Sequence, residues 1–180
     1  DDFAFDLMLG SDYSGRTLDT YSSRLLRGVA DGSGAERRTE DIYYVVENTF
    51  KYDKSFNGMH NINDVAGYTW ESSASRFLSG SAQGFVSDDL LNQSLNSGER
   101  FSAPGNGTTE WDLISFLGRV NYSFSDRYLI TASARRDGSS RFGTNSKWGY
   151  FPSLSVGWKI NEESFLNETE WLSLLKVRAA

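Results

Sequence analysis

Apolar and polar positions alternate most regularly between Leu113 and Asp137. Ile114, Phe116, Gly118, Val120, Tyr122 and Phe124 share one parity, and Ser115, Leu117, Arg119, Asn121 and Ser123 share the other. Side chains alternate across a strand, so these sets occupy opposite faces, one suited to lipid and one to water. After Ser125-Asp126-Arg127 the pattern resumes, with Tyr128, Ile130, Ala132 and Ala134 against Leu129, Thr131, Ser133 and Arg135. Two alternating stretches joined by a short polar turn predict a membrane-spanning β-hairpin.

Similar stretches recur along the chain. Phe3, Phe5, Leu7 and Leu9 alternate with Asp2, Ala4, Asp6 and Met8, while Val46, Phe50 and Tyr52 oppose Glu47, Thr49 and Lys51. Residues Asn61 to Glu71 form the next candidate strand. Tyr150, Pro152, Leu154, Val156, Trp158 and Ile160 oppose Phe151, Ser153, Ser155, Gly157 and Lys159, and Leu174 to Ala180 begins a last strand. The expected architecture is therefore all-β: an antiparallel transmembrane β-barrel, represented by about seven strands. Short turns fall at Asp53 to Met59, around Asn57-Gly58, and at Ser125 to Arg127. Residues 10–41, rich in Ser, Gly, Asp and Arg, and 72–112, with clusters of Ser, Gly and Asn, are expected as long outer loops, the second with a short helix over Ser87 to Leu95. Asn161 to Ser173, with Phe165, Leu166 and Trp171, is expected to be a turn carrying a helical piece.

Ten residues at roughly 3.3 Å each, tilted near 45°, cover about 23 Å, close to the apolar band of about 25 Å of such barrels. Two positions strain the pattern. Pro152 lacks a ladder donor, which favours a place near its strand's start. Asp64 shares the parity of Ile62, Ala66, Tyr68 and Trp70, which leaves a bulge, an interfacial depth or a reversed face as readings.

Composition narrows the class further. Aromatic residues are 14% of the chain, an excess that girdles at the two membrane surfaces would use. Charged residues are 23%, and no apolar run reaches the roughly 20 residues of a membrane helix. The net charge of -6 opposes nucleic-acid binding, which needs a basic surface. With no cysteine, disulfides and thiolate metal sites are excluded.

Candidate chemistry is sparse. His60 is expected to be a solvated turn residue rather than part of a Ser/His/Asp set. Asp88-Asp89 and Glu162-Glu163 read as loop charges, since neighbouring acids do not converge on one substrate atom unaided. Asp137-Gly138-Ser139-Ser140-Arg141 reads as a fixed turn in which Gly138 supplies a permissive φ, not as a calcium loop. The Asn-x-Thr at Asn106 reads as chance. Tyr68, Trp70, Trp111 and Trp148 are assigned to an outer aromatic girdle in preference to sugar-stacking platforms. No catalytic, cofactor or metal-binding set is assigned.

An ordered series of short motifs carries a family resemblance. It comprises Gly118-Arg119-Val120-Asn121-Tyr122, Asp126-Arg127-Tyr128-Leu129, Arg135-Arg136-Asp137-Gly138-Ser139-Ser140-Arg141-Phe142-Gly143, Trp148-Gly149-Tyr150-Phe151-Pro152-Ser153, Gly157-Trp158, Glu163 with Phe165, and Leu175-Lys176-Val177-Arg178. The series resembles the barrel signature of SusC/RagA-type TonB-dependent transporters. That resemblance implies a multi-pass outer-membrane barrel of Bacteroidota type, surrounded by lipid, importing glycans or peptides. It implies a SusD-like surface lipoprotein above the barrel and a TonB complex acting through a plug region. The motif residues Gly118, Arg119, Tyr122, Arg135, Asp137, Gly138, Ser139, Ser140, Arg141, Phe142, Phe151, Pro152 and Trp158 would be structural, and no cofactor is implied. The pattern running to both ends suggests part of a larger barrel. A secreted all-β carbohydrate-binding module, and a barrel of structural or secretion role, are the alternatives.

Overall fold

The computed structural model describes residues 2–26, 31–143, 146–166 and 172–180. Eight strands form one sheet: β1 Phe3–Ser22, β2 Ser33–Phe56, β3 His60–Phe85, β4 Gly98–Phe101, β5 Gly105–Phe124, β6 Tyr128–Ser139, β7 Trp148–Lys159 and β8 Lys176–Ala179. The order is β1-β2-β3-β5-β6-β7-β8, with β4 paired to β3. The all-β, consecutive-neighbour architecture is the one the alternation predicts. The eighth strand is β4, whose four residues lie inside the segment expected to be loop.

Four strands are far longer than a membrane crossing needs: β1 and β5 have 20 residues, β2 has 24 and β3 has 26. The expectation of irregular loops over 10–41 and 72–112 is corrected accordingly, because much of both segments continues the ladder. Ladder hydrogen bonds need no apolar side chain, so a strand can extend where hydrophobic alternation has stopped. The helix expected over Ser87 to Leu95 is a 3-10 segment at Leu91–Ser97. A second 3-10 turn, Ile160–Glu162, opens the expected Asn161 to Ser173 turn. Trp171 lies outside the described residues.

The tight turns form as their residues dictate. Asn57 (φ 53) and Gly58 (φ 64) both take left-handed geometry while Met59 N–H donates to the Phe56 carbonyl at 3.1 Å. Two left-handed central residues match the right-handed twist of the flanking strands. Ser125 (φ 50) and Asp126 (φ 53) repeat this, with Arg127 N–H donating to Phe124 at 3.0 Å.

The chain divides into two compact units. The first comprises 1–10, 45–71 and 112–180. Pairing of Gly118 with Ala134, Val120 with Ala132, and Ala132 with Leu154 carries one parity across β5, β6 and β7. Phe116, Val120, Ile130, Leu154, Val156 and Trp158 thus share an apolar face, and each remains exposed. Asp64 stays on that face. The His60–Phe124 and Tyr68–Phe116 ring contacts, at 4.9 and 5.3 Å, hold one β3–β5 register on either side of it, so no bulge intervenes. Its Oδ1 is shielded without a hydrogen-bond partner in a hollow lined by Phe3, Phe50, Tyr52 and Val120.

The second unit comprises 11–44 and 72–111. It holds the buried hydrophobic side chains of the described residues, Ala82 and Phe85. Tyr21 meets Phe85 edge-on at 5.4 Å, and Gly34 lies beneath Phe85 and Leu95, where an added Cβ would come within 3.2 and 3.3 Å of them. Tyr21 and Ser23 donate to the Asp88 carboxylate at 2.6 and 2.8 Å, holding its pKa below the usual carboxylate range. Arg100 pairs with Asp31 at 2.5 Å, and the Arg37 guanidinium lies 3.9 Å over the Phe77 ring.

Candidate functional site

The polar face of the first unit is built by residues that recur at one level in successive strands. Asn63 donates to Asp53, Asn121 Nδ2 donates to the Asn63 carbonyl at 3.2 Å and to its Oδ1 at 3.1 Å, and Thr131 Oγ1 donates to Asn121 Oδ1 at 2.9 Å. One hydrogen-bonded row thus crosses β2, β3, β5 and β6. Nearer the short turns, Asn61 donates to Ser123 Oγ at 3.3 Å and to Asp126 Oδ1 at 3.4 Å. An open groove of about 500 Å³ runs along these residues, with Asp53, Ser55, Asn61, Asn63, Asn121 and Thr131 in its lining.

Further along the same face the row turns ionic. Arg135 Nε donates to both Asp137 oxygens, at 2.7 and 3.0 Å, and Arg135 Nη2 reaches the buried Ser115 hydroxyl at 3.4 Å. Arg119 faces the same way, opposite Ser133. Such a face presents amides, hydroxyls and paired charges, each already oriented by a neighbour. Sequence reading found the parity but missed the row, although its signal was present: Asp53, Asn63, Asn121 and Thr131 are all on the water-suited parity of their strands.

The opposite face carries two aromatic groups. At the short-turn end, Phe124 and Tyr128 rings are 6.3 Å apart, and Tyr128 and Trp158 stack at 6.4 Å. Glu163 closes this end, accepting from Tyr128 OH at 2.7 Å, Trp158 Nε1 at 3.0 Å and Arg127 at 3.3 Å. These bonds hold its carboxylate below the ordinary range. At the far end, Phe116 lies 5.3 Å from Tyr68 and 6.3 Å from Trp148. Trp148 and Trp158 are the two ends of one alternating run in β7, and ten residues tilted near 45° separate them by about 23 Å, the height of a barrel's apolar band.

His60 is corrected by this geometry. It opens β3 with Nδ1 2.7 Å from Tyr122 OH, and so belongs to the aromatic group rather than to a solvated turn. Gly138 is corrected too. It lies in extended β6, where an added Cβ would come within 2.7 Å of the Trp148 ring, so close packing and not positive φ requires glycine. The turn itself rests on the next residues. Ser139 N–H donates to Lys147 at 3.1 Å, Ser139 Oγ accepts from Arg141 N–H at 3.2 Å, and Ser140 exchanges bonds of 2.9 and 3.0 Å with Asp112.

The remaining motif residues lie where the alternation puts them. Gly118 opposes Ala134 on the apolar face, with open space beside it, and Tyr122 opposes Ile130. Phe151 opposes Arg135 on the polar face, and Phe142 is exposed in the turn. Pro152 opposes Ala134 in the first half of β7, and β8 pairs only with Val156 to Lys159, so the missing N–H falls outside that ladder.

Comparison with known proteins gives one answer. The family model of the TonB dependent receptor-like β-barrel matches residues 1–179. TonB-dependent receptor P39 of Formosa agariphila is 35% identical in an alignment 180 positions long that covers 98% of this chain and 17% of that protein. TonB-dependent receptor SusC of Bacteroides thetaiotaomicron is 56% identical over 66 residues, covering 37% of this chain and 7% of SusC. A solved structure of the RagAB peptide transporter superposes with a TM-score of 0.86 at 26% identity, over 98% of this chain and 20% of that one. The chain spans about a sixth of the first relative's length. With its two-faced sheet and this match along its whole length, the chain belongs to the TonB-dependent receptor family and forms a segment of a SusC/RagA-type β-barrel.

Proposed function

We propose that this chain is wall of an outer-membrane barrel that imports a large nutrient, a glycan or a peptide, with energy relayed by TonB. The observation that carries the reading is the split between faces. An apolar face edged by aromatic rings about 23 Å apart meets lipid, and a hydrogen-bonded polar face meets the transport path. An open sheet leaves strand edges unpaired, which hydrocarbon does not tolerate, so the working unit is a closed barrel to which these strands contribute. Support for import comes from the family, and support for a surface lipoprotein partner of the SusD class comes from the SusC and RagAB likenesses. The strand extensions of the second unit are the part of the chain suited to the extracellular side.

In this reading Asp53, Asn63, Asn121, Thr131, Arg135 and Asp137 supply a polar surface that a plug region or passing cargo touches, and they perform no covalent chemistry. The test is uptake by cells in which the full-length gene is deleted and restored, supplied in turn with defined oligosaccharides and oligopeptides. Growth on one class that requires both this gene and TonB is the expected result. TonB-independent uptake, or absence of the protein from the outer membrane, would contradict the proposal.

A further inference from the structure

Arg136 is out of keeping with its surroundings. It pairs with Tyr150 and follows Ala134 on the apolar face, where a charge has to be explained. Its guanidinium carbon lies 4.1 Å from the Trp148 ring centroid and 5.1 Å from that of Tyr150, so two aromatic faces hold it at the level of the far girdle. Arg135, one residue earlier, faces the other way and is satisfied by Asp137. Arg136 itself is exposed and makes no ion pair among the described residues.

Three further features converge on the same place. Beside Arg136 an open groove of about 560 Å³ runs between Phe116, Gly118, Ala134, Tyr150 and Pro152 of the apolar parity, with Leu117, Arg135 and Phe151 of the other parity also in its lining. Its floor is low because Gly118 has open space where a side chain would stand. Around it the β6–β7 hairpin carries Arg135, Arg136, Arg141 and Lys147 against Asp137, with Asp112 of β5 bonded to its Ser140, in a chain whose net charge is -6. A cation held on aromatic rings, beside a small-residue apolar groove and within a locally basic hairpin, is complementary to an anionic headgroup attached to an acyl chain.

We propose that Arg136, with Trp148, Tyr150 and the groove floored by Gly118, is a binding site for a phosphorylated lipid of the outer leaflet. The guanidinium donates to the phosphate in its forked geometry, and an acyl chain lies in the groove beside it. The inference rests on the outer-membrane reading above, and it adds a ligand on the side of the wall opposite the transport path.

The test uses the full-length transporter purified from outer membranes in mild detergent, stripped of lipid and reloaded with bisphosphorylated lipid A or with the same lipid after phosphatase treatment. Bound lipid is counted by native mass spectrometry. Wild type is expected to retain the phosphorylated form and to lose retention roughly tenfold when the phosphates are removed, the scale of one charge-assisted hydrogen bond. R136Q should lose retention by a similar factor, R136K should recover part of it, and R119Q on the polar face should retain lipid as wild type does. G118L, which fills the groove without touching the charge, should also reduce retention. Equal binding of the dephosphorylated lipid, which needs no variant to fold, would overturn the proposal, as would full displacement by millimolar inorganic phosphate. A transporter that reaches the outer membrane and imports normally yet shows no phosphate preference would overturn this inference alone, whereas absence from the outer membrane would overturn the reading it rests on.

Discussion

The two compact units solve opposite problems with the same long strands. The second unit has a small core of its own: it buries Phe85 and Ala82 beside a 3-10 segment and ties its polar groups into pairs such as Tyr21–Asp88. The first unit buries no hydrophobic side chain among the described residues, and presents Leu154, Val156, Ile130 and Val120 outward instead. In water such exposure would be an aggregation hazard, but in hydrocarbon it is the favourable arrangement. Under the proposed function, which puts the first unit in hydrocarbon and the second in water, exposure has opposite meanings in the two units.

Substitutions can break this contrast if it is wrong. The largest effect is expected from Phe85→Ala, which empties the second unit's core and should cost about 3 kcal/mol or more of local stability. Proteolysis of the intact transporter should then accelerate within 72–111, while membrane insertion continues. Next comes a matched pair of leucines, Leu154 at 62% and Leu78 at 60% exposure, one in each unit. Leu154→Arg should destabilise the barrel by about 2 to 4 kcal/mol, whereas Leu78→Arg should stay within about 0.5 kcal/mol, as read by denaturant unfolding in lipid. Equal effects would show that both leucines meet the same solvent. Asp64→Leu should stabilise by about 1 kcal/mol, because an acid on the lipid-facing parity costs somewhat less than a base.

The smallest effect concerns pH. Glu163 and Asp88 both have folded pKa values below their ordinary ones, so their contribution is present above the ordinary carboxylate range and is lost as pH falls through the lowered values. Acidification should loosen the Glu163 contacts with Tyr128 and Trp158, and Glu163→Gln should flatten that part of the profile in a pH series of thermal melts.

How much was legible follows from the same contrast. The Leu113 to Asp137 hairpin could be read to the residue, since lipid on one side and water on the other imposes a period of two, and both αL turns announced themselves as short polar runs. The strand extensions could not. A stretch such as Ser72-Ser73-Ala74-Ser75-Arg76 carries small and polar residues on both parities and is held by ladder bonds, which leave no trace in hydrophobic order. The parity that Asp64 shares with Ile62 and Ala66 was legible; its face and the absence of a bulge were not, because register is set by pairing with β5. Gly138 had the right residue for the wrong cause, since a ring lying over a strand is a tertiary fact.

The most direct measurement exploits a chain without cysteine. Single cysteines placed in the full-length transporter at Ile130, Thr131, Ala132, Ser133, Ala134 and Arg135 would be probed, in native outer membranes, with a lipid-soluble and a water-soluble thiol reagent. The account predicts strict alternation: positions 130, 132 and 134 react from lipid, and 131, 133 and 135 react from water. Reaction of both sets with the water-soluble reagent, or alternation of the opposite phase, would contradict the assignment of faces on which the transport reading stands.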